Sequence, residues 1–321
     1  MPAFTLANST NVRNPFLGLL QRAELALVST LAPQRAVDIA ARHFSTPPRF
    51  EHTARERELL STGTRYDVAS RRGRIAAWRF GRTDRPAVVL VHGWGGRGAQ
   101  LGAFVPALLD SGYQVVLFDH IGHGHSEGAH STLVHFWDGL DAVITELEAR
   151  GTRIHGFVGH SLGAAAVGAW LNDTQRTMRS VLIAPPISVE RYSGYFARRL
   201  GIAESVRRQM QEHFERMLGR RWAEFELPGA VARVRAPALV VHDKDDREVS
   251  YGSGLSLART WKDARLVTTT GLGHRRILRD PDVVAATVAF LAARTEERRL
   301  APLAAPAPDA ADPLAALREV I

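Results

Sequence analysis

Gly159-His160-Ser161-Leu162-Gly163 follows a short apolar run, Phe157-Val158, and leads into an Ala-rich helix former from Ala164 to Trp170. The pattern is G-x-S-x-G between a strand and a helix, the context of a nucleophile elbow. So sharp a turn strains the serine at the strand's end, and the flanking glycines leave room for neighbouring backbone. A relaxed copy, Gly254-Leu255-Ser256-Leu257-Ala258, has no apolar strand before it and reads as a helix start. A serine alone is inert. It needs a base from elsewhere in the chain, in the order Ser, then Asp or Glu, then His.

Outward from the elbow, residues 87–91, 114–118, 154–158, 180–184 and 238–242 are short, largely apolar runs, as expected of strands buried on both faces. Residues 62–70 and 73–81 read as a hairpin around Arg72-Gly73, and 265–269 as a last strand. Helices are expected at 99–110, 132–150, 253–261 and 282–294. Strands alternating with helices imply right-handed crossovers and a mostly parallel, doubly wound α/β sheet. The alternation stops at 188 and resumes near 236. The helical stretch between is too long for an ordinary loop and reads as a cap. The chain therefore divides into an N-terminal helical extension (1–61), an α/β core (62–187 and 236–297), a helical cap (188–235), and an Ala/Pro-rich linker with a short C-terminal helix (298–321).

The acid lies in His242-Asp243-Lys244-Asp245-Asp246, at the carboxyl end of a buried strand, where open α/β sheets place their ligands. The residues alone leave three carboxylates in competition. His274, in Gly271-Leu272-Gly273-His274, follows the last strand and is the base candidate. In such an arrangement Ser161 attacks, His274 takes the proton and returns it to the leaving group, and the acid holds the imidazole. The amide of Leu162 is the first oxyanion donor. The second comes from the turn His92-Gly93-Trp94, where the Trp94 amide is the choice.

These motifs resemble the α/β-hydrolase superfamily, in its serine esterase/lipase-like branch with a helical cap, from about 62 to 295. His92-Gly93 matches the oxyanion turn, Asp119-x-x-Gly122-x-Gly124-x-Ser126 the glycine loop, and Gly159 to Gly163 the elbow. The family's acid loop often reads H-G-x-x-D-x-x-V-P. This chain matches it at His242, Asp246 and Val249, with Asp243 for the Gly and Ser250 for the Pro. The resemblance selects Asp246 as the acid and leaves Asp243 and Asp245 to loop capping. It implies an eight-stranded, mostly parallel sheet and a carboxylic-ester hydrolase working through an acyl-enzyme, with no cofactor and no metal. Thioesterase, acyltransferase and serine peptidase chemistry share the fold, as does a non-catalytic binding role. His160, together with Tyr195, Phe196, Met210 and Phe214 of the cap, is expected at the substrate; the bland alternative is that the cap residues only fasten the cap to the sheet domain.

Composition narrows the partners. The net charge is +8, but the arginines are spread along the chain without a nucleic-acid motif, so no nucleic acid is expected. Only Lys244 and Lys262 of the 41 basic residues are lysine. No cysteine is present, which excludes disulfides, thiolate catalysis and Cys-ligated zinc. His120, His123, His125 and His130 suggest a metal cluster, yet they fall on the glycine loop. No apolar run reaches the roughly 18 residues of a membrane span. Residues 16–32 read as an amphipathic helix rather than a leader. The expected partner is a small-molecule ester, the expected location cytoplasmic, and the terminal helices offer contacts for an oligomer.

Overall fold

The computed structural model describes residues 27–293 apart from Thr30. Most of the helix expected at 16–32, and the linker and C-terminal helix at 298–321, lie outside the described residues.

Eight strands form a single sheet in the order β1-β2-β4-β3-β5-β6-β7-β8. The hairpin of β1 (Thr64–Ser70) and β2 (Gly73–Phe80) joins the sheet where β2 runs antiparallel to β4 (Gln114–Phe118). From β4 onward, β3 (Ala87–Val91), β5 (Ile154–His160), β6 (Arg179–Ile183), β7 (Ala238–Asp243) and β8 (Ala264–Thr269) are parallel. β3 and β4 are buried along their whole length. Their alternate residues feed two apolar layers: Val89 and Val91 face one, Val88 and Leu90 the other. Helices α4 (Leu133–Ala149) and α5 (Leu162–Thr174), with α8 (Leu227–Val231) and α9 (Tyr251–Thr260), cover the first. Helices α3 (Phe104–Asp110) and α11 (Pro281–Ala292) cover the second. This two-sided cover explains why the strands read as apolar runs rather than alternating ones.

The helix expected at 99–110 is two pieces, a 3-10 turn (Gly98–Leu101) and α3. Pro106 lies in the first turn of α3, where its missing N–H costs nothing. Between β6 and β7 the chain forms α6 (Val189–Leu200), α7 (Glu204–Leu218), a second 3-10 turn (Trp222–Phe225) and α8.

The N-terminal segment is more than an appendage. α1 (Pro33–Ser45) lays Ala36, Val37, Ala40 and Ala41 against Val206, Met210 and Phe214 of α7. The Phe44 ring sits among Tyr192, Phe196, Phe214 and Trp222 at 5.3–5.9 Å. α2 (Ala54–Ser61) starts on a capping box in which Thr53 and Glu56 satisfy each other's backbone amides. Glu56 also accepts two hydrogen bonds from Arg97, an ion pair buried on both sides. α10 (Gly273–Arg276) is a short turn the sequence pattern does not signal.

Candidate active site

Ser161 occupies the bend between β5 and α5 with φ 51° and ψ −124°, a region that costs a residue with a Cβ energy. Close packing around the bend enforces it. A Cβ on Gly163 would lie 2.3 Å from the His92 carbonyl oxygen, and one on Gly159 2.7 Å from the Ala164 Cα. A Cβ on Gly93 would meet the Ser161 Cβ at 2.8 Å. Each glycine of the motif is thus required by a neighbour rather than by the turn alone.

His274 begins the turn that follows β8, and it is buried. Its Nδ1–H donates to Asp246 Oδ2 at 2.7 Å. The other oxygen of Asp246 accepts the amides of Glu248 and Val249 at 2.8 and 2.9 Å. His242 Nε2 lies 3.4 Å from Asp246 Oδ2 and 3.0 Å from the Val249 carbonyl. Burial alone would raise the Asp246 pKa. The hydrogen bonds from His242 and His274, with that of the Val249 amide, outweigh it and hold the carboxyl well below its usual range. Asp246 is therefore an anion braced by two imidazoles. The competing carboxylates are spent elsewhere. Asp243 accepts the Asp245 amide, the Thr269 hydroxyl and the Leu272 amide. Asp245 accepts the Gly271 amide.

The Ser161 hydroxyl forms no hydrogen bond with His274; such contacts are often loose before substrate binds. Leu162 opens α5, so its amide has no intrahelical acceptor. In the turn after β3, the Gly95 amide is already used, donating to His123 Nε2 at 3.1 Å.

The residues expected at the substrate are placed differently. His160 is 6% exposed, and its Nε2–H donates to the His274 carbonyl at 2.9 Å. It props the turn that carries His274. Met210 and Phe214 are buried in the layer between α1 and α7, and Phe196 packs on Phe44. Their side chains are consumed by packing, and what they fasten is the N-terminal helix. Tyr195 is exposed. The partner of this apolar face lies more than 150 residues away in the chain.

The glycine loop is a hydrogen-bonded scaffold. Asp119 is fully buried and accepts the amides of Gly98 and His125, both at 2.8 Å. The Ser126 hydroxyl donates to the Asp119 carbonyl and accepts the Ala76 amide. Gly124, at φ +43°, runs so close to the Asp119 carboxylate that a Cβ there would stand 2.0 Å from Oδ2. The four loop histidines do not converge. His120 stacks on Phe136 at 3.7 Å, His123 bonds Gly95, and His130 lies beside Ser45 and Thr46. Among the described residues, His52, Asp119 and His125 bring potential ligand atoms within 4.8 Å of one another. However, the His52 and His125 rings stack at 4.6 Å and 17°, so their in-plane lone pairs run side by side rather than to one point.

Residues 82–231 match the family model described as serine aminopeptidase, S33. Most of the chain aligns with solved structures of the same fold. The esterase Pf2001 of Pyrococcus furiosus superposes with a TM-score of 0.59 at 19% identity, covering 76% of this chain and 98% of that one. The chain has the α/β-hydrolase fold. A thermophilic esterase of Thermogutta terrifontis aligns with this chain at a TM-score of 0.53 and 18% identity, over 71% of this chain and 98% of that one. Among curated relatives, the non-heme chloroperoxidase CPO-A1 of Kitasatospora aureofaciens is 29% identical over 126 residues, 35% of this chain and 41% of that protein. The Mycobacterium tuberculosis protein named "Probable oxidoreductase EphD" is 38% identical over 101 residues, 30% of this chain and 16% of that protein. The match to these curated relatives thus spans less than half of their length. Among the described residues, no helix is long and apolar enough to cross a membrane.

In the sequence, His92-Gly93 and His242 stand only as pieces of motifs. The geometry gives both side chains work. His92 Nε2 accepts the His120 amide at 2.9 Å, and its Nδ1–H donates to the Gly93 carbonyl at 2.7 Å.

Proposed function

We propose that this α/β-hydrolase cleaves carboxylic esters through an acyl-enzyme formed on Ser161. The observation that carries the reading is the 2.7 Å hydrogen bond between His274 and an anionic, solvent-shielded Asp246. An imidazole held by Nδ1–H presents Nε2 as the acceptor, which is the tautomer a general base needs. Ser161 attacks the ester carbonyl and passes its proton to His274 Nε2. The tetrahedral oxyanion rests on the amides of Leu162 and Trp94. His274 then protonates the leaving alcohol. Water, activated by the same imidazole, releases the acid.

Residues 188–235 form a cap over the carboxyl ends of the strands in this reading. One contact supports it: α8 packs on α5, the helix that starts at Ser161. Two of the solved structures that share the fold are named as esterases, which agrees with the proposal.

Hydrolysis of p-nitrophenyl acetate, butyrate, octanoate and laurate, beside a matched thioester and an aminoacyl amide, tests the reaction class. Faster turnover of the oxygen esters than of the amide supports it. Preference for the amide transfers the reading to peptidase chemistry.

A further inference from the structure

The segment that joins α1 to α2 runs across both loops that shape the oxyanion turn. Arg49 lies in it, outside the region matched by the family model. Its guanidinium donates to four backbone carbonyls of the glycine loop, those of Gly122, Gly124, Ser126 and Gly128. Among the described residues, no carboxylate is a hydrogen-bond partner of Arg49. An arginine fork spent entirely on one loop's carbonyls fixes the path of that loop.

The clamped loop reaches the oxyanion turn through the bond of His92 to the His120 amide and through the His123 side chain. His123 Nδ1–H donates to the Ile121 carbonyl at 3.0 Å, and its Nε2 accepts the Gly95 amide at 3.1 Å. Both bonds require the neutral imidazole in a single tautomer. Gly95 follows Trp94 directly. Pro48, beside Arg49, touches the same residue: a Cβ on Gly95 would sit 3.0 Å from the Pro48 Cγ. The turn is thus gripped by the N-terminal segment from outside and by His123 from within.

We propose that Arg49 is a positioning residue for the reaction. By clamping the glycine loop it sets His123, and through His123 the Gly95 amide and the aim of the neighbouring Trp94 amide at the oxyanion. The proposal rests on the oxyanion assignment above and adds the N-terminal segment to the working site. A donor misplaced by a fraction of an ångström loses its value in the tetrahedral state while the ground-state ester still binds.

The test compares the full-length wild type with Arg49→Ala, Arg49→Lys and Arg82→Ala. Arg82 pairs with Asp84 on the surface and serves as the control. Three quantities are read: kcat and KM for p-nitrophenyl butyrate, the inhibition constant of an alkyl trifluoromethyl ketone, and the melting temperature. In the ketone reaction Ser161 Oγ bonds to the carbonyl carbon, its proton passes to His274, and the carbonyl oxygen becomes the oxyanion. Removing an oxyanion donor outright costs about 10²–10³ in kcat, so misplacing one is expected to cost about tenfold or more. Arg49→Ala should lower kcat and weaken the ketone by that same factor, with KM within about twofold. Arg49→Lys keeps the charge but not the fork, and should fall between. If Arg49→Ala does not fold, the lysine variant carries the comparison. An Arg49 variant that is folded and keeps wild-type kcat and ketone affinity overturns the proposal, as does a loss that raises KM and follows the melting temperature. A wild type inert to both ester and ketone instead overturns the reaction reading beneath it.

Discussion

Ser161, Asp246 and His274 come from three separate strand ends, and each is fixed by its own surroundings. The serine is fixed by close packing, the histidine by Asp246 and by the His160 prop, the aspartate by two amides and two imidazoles. These local devices make separable predictions. Asp246→Asn should lower kcat by about 10³–10⁴, because the amide stabilises the wrong imidazole tautomer. Asp243→Asn removes an acceptor shared by Thr269 and Leu272 and should lower the melting temperature while sparing most of kcat. Kinetics and melting curves on the two variants decide it; a larger kcat loss in Asp243→Asn would reverse the assignment. The nucleophile candidate was legible because the elbow is a local pattern. The choice of acid came from the family resemblance; on the residues alone, three carboxylates within four residues look alike until their hydrogen bonds are seen.

At the level of elements, the strands were legible to within a residue or two, since burial on both faces leaves apolar runs in the sequence. The helical stretch 188–235 was legible only as a break in rhythm. Its apolar face is amphipathic whether it meets a substrate, the sheet or another helix, so the pattern could not name the partner. The structure supplies α1, with Phe44 at the centre of the contact. Phe214→Ala should therefore cost about 3–5 kcal/mol of stability, the range for emptying a buried phenylalanine site. Its chain-length profile should keep its shape, with losses parallel across acetate, butyrate, octanoate and laurate esters. A shifted optimum with an unchanged melting temperature would return Phe214 to the substrate site. Arg49 left no mark in the sequence at all. An arginine that bonds backbone carbonyls needs no particular residue type opposite it.

Across the whole molecule, burial of neutral imidazoles links folding to pH. Burial lowers His123 and His160 to about 3, and His135 to about 4. In the unfolded chain these groups titrate near their ordinary value of 6.5. Below that value the unfolded state binds protons that the native state refuses, so stability rises with pH through this window and falls on acidification. Each such histidine contributes a slope of about 1.4 kcal/mol per pH unit. Asp246 and Asp119, held low in the native state, add loss of the same sign only once the carboxylate range is reached. Urea unfolding at pH 7, 6 and 5 should show the free energy falling before carboxylates titrate. A flat profile over that interval would contradict the burial of neutral histidines.

The central claim is that Ser161 is an activated nucleophile, and active-site labelling tests it most directly. The full-length protein is treated with a fluorophosphonate, its intact mass is measured, and the modified peptide is sequenced. The account predicts one phosphonyl group on Ser161, none on Ser161→Ala, and a labelling rate lowered by orders of magnitude in His274→Ala. An unlabelled wild type, or a label on any other residue, would contradict it.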